Sequence, residues 1–253
     1  MRALRPFLEA AVALGLLVGF FTLDDLHIHV LRSIWPQYAD ELPFEGGNML
    51  ELGLRTVELV LISTTFCIAI GLPLGILATR PSFREEFAPL ANALANAGQT
   101  IPSLAIVALA LPLLGLGMIP AIVAMVVHGI LPILRNTVAA LESVNPAQLD
   151  AGRGMGMTGG QLLLLVEMPH AFPVILAGIR TSAVLNVGVA VLSGLIGAGG
   201  LGAAIVHGLD LQVSPLVWYG AVPTALLAVT LDFFLGRLEQ VLVPAGLRLK
   251  GAA

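Results

Sequence analysis

Charge is what this sequence has least of. Of its 253 residues, 11% are charged and 57% are hydrophobic, and the mean hydropathy is +0.95. A water-soluble domain carries about 25% charged residues, so the chain lacks the polar surface to face water and lipid must be its main solvent. Cysteine is almost absent. Cys67 stands alone inside an apolar run, which excludes an intrachain disulfide framework and a thiolate metal cluster and leaves a small packing residue. Lysine occurs once, at Lys250. A phosphate-binding loop of the form Gly-x4-Gly-Lys-Ser/Thr needs a lysine beside its backbone amides, so this chain does not bind ATP in that way. Basic tracts are missing too, which excludes the usual electrostatic footprint of a nucleic-acid binder.

What is present is a series of charge-free runs. A membrane-spanning helix needs about 20 mostly apolar residues, and a charge at mid-depth costs roughly 2.5–3.5 kcal/mol. Leu59–Thr79, Thr181–Leu209 and Leu211–Leu231 are each long enough to cross. Phe87–Leu134 is long enough for two spans, with a turn at Leu116-Gly117-Met118-Ile119-Pro120. A shorter run over residues 7–23 reads as an uncleaved first span, because no small-x-small cleavage site precedes Asp24-Asp25. The expectation is an all-α polytopic bundle of about six transmembrane helices forming a single permease-like domain over residues 1–253. Arg2, Arg5, Arg80, Arg84, Arg135, Arg153, Arg237, Arg248 and Lys250 fall on one side of such a bundle. The 24–52 loop carries six acids against Arg32 alone. By the positive-inside rule that loop is extracytoplasmic and both termini are cytoplasmic.

The most polar internal stretch runs from Arg135 to His170, with a cytoplasmic loop over 141–169. Asn145 can cap a short helix whose first turn suits Pro146, and Gly152, Gly154 and Gly156 weaken that helix toward its end. Thr158 and Gln161 have capping-box spacing, which starts a second helix through Leu162–Val166 that Pro169 closes. Reversing the chain needs only about 2–8 residues. A capped pair of helices exceeds that need, which favours a docking surface for a cytoplasmic partner.

Asp150-Ala151-Gly152, three residues, Gly156, nine residues, then Val166-Glu167-Met168-Pro169 resembles the EAA loop of ABC-importer permeases. Gln99-Thr100-Ile101-Pro102-Ser103-Leu104, Leu131–Thr137, Gly154–Gly159, Ala177–Thr181 and Leu195–Gly202 are similar to the branch that imports glycine betaine, choline, carnitine and related osmoprotectants. The resemblance implies an importer-permease (MetI-like) fold with a core over 53–235, in a bacterial-type inner membrane, working by alternating access. It implies that this chain is a transport subunit and not an enzyme, that Asp150, Ala151, Gly152, Gly156, Val166 and Pro169 couple to cytoplasmic ABC ATPase subunits, and that this chain binds no cofactor, ATP and Mg being held by the ATPase. It also implies a second permease subunit, the same or homologous, and an extracytoplasmic solute-binding protein. Gly152 in place of alanine should soften the coupling helix by roughly 0.5–1 kcal/mol.

Polar and aromatic residues in the spans are the remaining candidates. Asn186 faces a partner subunit or the substrate path, and His128 is a path ligand or a histidine satisfied by a neighbouring helix. Trp218 and Tyr219 can hold a quaternary amine through their ring faces or form part of an interfacial aromatic belt. Gly199-Gly200 invites a helix break that serves as a gate or a plain turn. Gly188, Gly194, Gly197 and Gly202 offer close helix approach. Glu58 and Arg55 have i,i+3 spacing for an ion pair, and Arg180 reads as an anchor at the cytoplasmic end of a span. His27 and His29 are a weak metal signal, so no metal site is expected. A proton-coupled transporter would need an acid deep in a span, and Glu58 and Asp232 lie near ends. An intramembrane hydrolase would need to pair Ser193 with His207.

Overall fold

The computed structural model describes residues 5–81, 83, 85–87, 89, 93 and 101–243, with the side chains of residues 5–7 left aside. Its regular elements are helical, with no strand among the described residues. In chain order they are α1 (Arg5–Thr22), α2 (Asp24–Ile34), a 3-10 turn (Pro36–Glu41), α3 (Met49–Thr79), α4 (Ser103–Leu114) and α5 (Met118–Glu142). There follow α6 (Pro146–Gly154), α7 (Gly159–Leu162), a π-turn (Leu163–Glu167), α8 (Met168–Val189), a 3-10 turn (Ala190–Ile196), α9 (Leu201–Asp210) and α10 (Ser214–Leu242). Four helical segments are long and apolar enough to cross a membrane, and α1 with α2 makes a fifth if the pair, bent by 64°, counts as one span. The predicted third span falls partly on residues outside the described set, and its described part is α4.

The centre is a three-helix unit of α3, α5 and α8. These helices approach closely because glycines face bulk. A Cβ on Gly75 would lie 2.7 Å from Thr137 Cβ, and one on Gly178 would lie 2.9 Å from the Pro132 carbonyl. In hydrocarbon no hydrophobic force drives helices together, so this dispersion-scale fit supplies the association. Gly194 of the 3-10 turn and Gly202 of α9 serve in the same way, a Cβ on the first lying 2.3 Å from the Gly202 carbonyl and one on the second 2.2 Å from the Val191 carbonyl. Gly188 and Gly197 do not, since nothing lies within 4 Å of either. Outside this unit, α9 and α10 pack as a pair, α1 lies against α10, and α4 lies against α5.

Several boundaries differ from the expected ones. The 24–52 segment is not a loop, since α2 and a 3-10 turn occupy much of it. α3 starts at Met49, ten residues ahead of the charge-free run, because Asn48 and Glu51 form a capping box there. The fifth span does not begin at Thr181: a helical segment runs from Gly159 to Ile196, and the chain breaks before α9. Counting charges misplaced that start because Arg180 is paired within the bundle. Its guanidinium forks onto Asp232, Nε and Nη2 each donating at 2.6 Å, with Glu239 at 3.9 Å. Arg180 is therefore an internal tie between α8 and α10 and not an end anchor.

Candidate functional site

The 141–169 segment folds as the two capped helices its residues specify. Asn145 Oδ1 accepts from Ala147 N at 2.9 Å to start α6, with Pro146 in the first turn. Thr158 and Gln161 form the reciprocal capping box that starts α7. Gly156, at φ +82°, makes the turn between them. Gly152 is not the weak point that its helix propensity suggests. It is buried, and a Cβ there would sit 2.5 Å from Leu162 Cδ2 and 3.3 Å from Met157 Sδ, so the missing side chain is what lets α6 rest on α7.

Pro169 does not close the second helix. The chain passes from α7 through the π-turn into α8 without a break, and Pro169 lies in the first turn of α8. Proline clashes with the carbonyl four residues earlier and offers no N–H to it. Widening the preceding turn to i→i+5 bonding accommodates both defects.

Two contacts fix this helix pair to the bundle. Glu167, buried at the end of the π-turn, receives Arg80 from the end of α3 through two charge-assisted hydrogen bonds, Nη1 to Oε1 at 3.1 Å and Nη2 to Oε2. His170 Nδ1 donates to the Val166 carbonyl at 2.7 Å, which leaves Nε2 to accept from Gln148 Nε2 of α6 at 3.2 Å. The outer surface carries Asp150, paired with Arg153 at 2.8 Å. It also carries Met155, Leu164 and Leu165, exposed by 72%, 68% and 63%. Three large apolar side chains so exposed beside charged groups form the kind of patch that a partner covers. Sequence reading missed this patch and the Arg80–Glu167 pair. A lone arginine ending one span and a lone glutamate preceding another were the available signal.

At the opposite end of α3, the Gly199-Gly200 turn interrupts the helix between α8 and α9. Both glycines have positive φ, +82° and +81°. Thr56 Oγ1 of α3 accepts from Leu201 N at 2.9 Å, and Arg55 Nε donates to the Ala198 carbonyl at 3.1 Å. Arg55 also holds Glu58 at 2.6 Å, the i,i+3 pair expected from spacing. Ser193 Oγ donates to the Gly199 carbonyl at 2.6 Å and the His207 ring packs against Phe44, so the two hydrolase candidates do not meet.

The four path candidates are not brought together. Asn186 is fully enclosed within the subunit where α3, α5 and α8 cross, its Nδ2 donating to Thr64 Oγ1 at 3.2 Å. His128 is half-buried on α5, with Nδ1 3.3 Å from the Ala124 carbonyl of its own helix. Tyr219 is buried and donates to Asp24 Oδ1 at 2.6 Å. Trp218 is exposed beside Trp35, with ring centroids 6.2 Å apart. No group of three or more His, Cys, Asp or Glu arranged for a metal occurs among the described residues.

A helix pair projecting from one end of a membrane bundle, tied to the ends of two spans, matches a known architecture. The family described as "binding-protein-dependent transport system inner membrane component" matches residues 71–245. The chain belongs to that family. Permeases similar to it include the choline transport system permease protein OpuBB of Bacillus subtilis, 42% identical over 207 residues, 82% of this chain and 94% of that protein. The osmoprotectant import permease protein OsmY of Salmonella typhimurium is 42% identical over 211 residues, 83% and 89% of the two chains. Among solved structures, the MetNI methionine ABC transporter has a chain that shares the permease fold, with a TM-score of 0.65 at 24% identity, covering 74% of this chain and 92% of that one.

Proposed function

We propose that this permease is the membrane-spanning subunit of an ATP-driven importer for quaternary-amine osmoprotectants such as choline, glycine betaine and carnitine. The observation that carries the mechanism is the α6–turn–α7 pair, with its exposed Met155, Leu164 and Leu165 and its ties to α3 and α8. It is the coupling surface for a separate cytoplasmic ATPase, which binds the ATP and Mg. Asp150, Ala151, Gly152 and Gly156 shape that surface, while Val166 and Pro169 join it to the span. Identity of 42% to permeases named for choline and osmoprotectant import supports the substrate class. The family description, binding-protein-dependent, supports a separate solute-binding protein on the outer side. Two permease subunits then enclose the path, the Gly156 end lies in the cytoplasm, and both termini are cytoplasmic. In this reading the Gly199-Gly200 turn is the outer gate, held against α3 by Thr56 and Arg55. Coupling residues transmit motion and perform no chemistry.

Tagged permease purified from native membranes should bring down an ATPase subunit, and replacing Asp150–Gly156 with a flexible linker should abolish that association. Gly156→Trp forces a bulky side chain onto a left-handed position, a strain of roughly 1–2 kcal/mol, and places it on the docking surface. It should leave the protein inserted while uncoupling ATP hydrolysis from labelled choline uptake. Uptake at the wild-type rate in that variant would sink the coupling assignment.

A further inference from the structure

Away from the coupling segment and the α3–α5–α8 centre, a cavity of about 390 Å³ lies between α1, α2 and α10. Its wall includes Phe20, Leu31, Trp35, Trp218, Tyr219 and Pro223. The bend of 64° between α1 and α2 splays α2 from the bundle and opens the space. Leu26, Val30 and Ile34, also on the wall, are exposed, so the apolar lining reaches the surface of α2, where Asp25, His29 and Ser33 border it on the far side.

We infer that this cavity is a binding site for one acyl chain of a membrane phospholipid. Water is a poor occupant, since a buried water needs two to four polar partners and the unpaired buried polar atom on the wall is His27 Nδ1. The space is more than twice the roughly 150 Å³ of an engineered apolar cavity that takes up benzene, and leaving it empty would forfeit the dispersion contacts of its whole lining. Apolar α1 and amphipathic α2 frame the opening, an arrangement suited to the edge of the hydrocarbon, where acyl chains meet their ester groups. Tyr219, whose hydroxyl is committed to Asp24, offers the site only its ring. His27, also on the wall, has a buried Nδ1 with no hydrogen-bond partner among the described residues. That atom suits the ester group at the head of an acyl chain. The tilted Trp35–Trp218 pair supplies the rigid aromatic edge that interfacial tryptophans provide against lipid.

The chain carries its own reporter. Trp35 and Trp218 are its two tryptophans, so the intrinsic indole fluorescence of the purified full-length permease comes from the cavity wall. The experiment places that protein in phospholipid nanodiscs containing a small fraction of phosphatidylcholine brominated at mid-chain. Bound phospholipid is counted in parallel by native mass spectrometry. A site should hold brominated chains against the tryptophans in proportion to their mole fraction, quench more strongly than lipid contact at the protein surface alone, and leave a phospholipid adduct that survives detergent transfer. Val222→Phe, which fills the cavity from α10, should lose one adduct and reduce quenching to the level of random lipid contact. Val30→Phe fills it from α2 and guards against a folding defect in the first variant. Equal quenching and equal adduct counts in wild type and both filled variants would overturn the inference. So would a crosslink showing a second copy of the chain seated in the cavity. The readout does not depend on transport, so it stands or falls apart from the importer assignment.

Discussion

Gly129 has no side chain because the carboxamide of Asn186 occupies the space. A Cβ at that position would lie 2.8 Å from both Asn186 Oδ1 and Cys67 Sγ. The pair therefore acts as one unit: a polar group that hydrocarbon cannot solvate, enclosed by Thr64 and Cys67 of α3, and a neighbouring helix thinned to receive it. Overpacking of this kind costs about 1–3 kcal/mol. Gly129→Ala should lower the thermal midpoint in detergent accordingly, and Asn186→Ala in the same chain should recover part of the loss. If the two substitutions simply add, the residues are not sharing that space. Asn186 was conspicuous in the sequence as a lone amide in an apolar run, but its surroundings were not, since they depend on how α8 is rotated against α3 and α5. Gly152 failed in the opposite direction. Its helix propensity was legible, while the methyl-sized gap it leaves for Leu162 depends on a residue ten positions away.

The elements that sequence reading located best are those with local chemistry, the Asn145 cap and the Thr158–Gln161 box, while of the turn expected at Leu116–Pro120 the last three residues already belong to α5. It failed where a helix end is decided by something remote. The π-turn is the clearest case, because an expected stop at Pro169 became a continuous helix held by Arg80 of α3. Breaking a buried ion pair leaves one uncompensated charge, which costs roughly 3–5 kcal/mol, whereas replacing both partners with apolar groups is often close to neutral. Glu167→Ala should therefore destabilise the chain severely. The double variant Arg80→Met/Glu167→Leu should melt nearer to wild type than either single change. Thermal unfolding of the three variants checks this. A double variant as unstable as Glu167→Ala would mean that the glutamate acts through contacts other than Arg80.

At the scale of the whole molecule, the family match begins at residue 71, leaving α1, α2 and most of α3 outside it. The N-terminal elements are nonetheless fastened to α10 at two points, Glu9 to Arg237 at 2.7 Å and Asp24 to Tyr219 at 2.6 Å. Glu9→Ala with Asp24→Ala should raise hydrogen exchange across α1 and α2 while leaving α5 and α8 protected. Faster exchange throughout would show that α1 supports the core and is not merely carried beside it. The helical segment from Gly159 to Ile196 spans 38 residues. At about 1.5 Å per residue that is roughly 57 Å, nearly twice the roughly 30 Å of a bilayer's hydrocarbon. It leads from the exposed apolar patch at one end to the Gly199-Gly200 turn at the other. Such a rod works as a lever whose pivot is the α3–α5–α8 crossing, so a small tilt imposed on the protruding arm must sweep the far arm the opposite way. Two sections of it depart from α-helix, the π-turn and the 3-10 turn at Ala190–Ile196, and Arg80 splints the first.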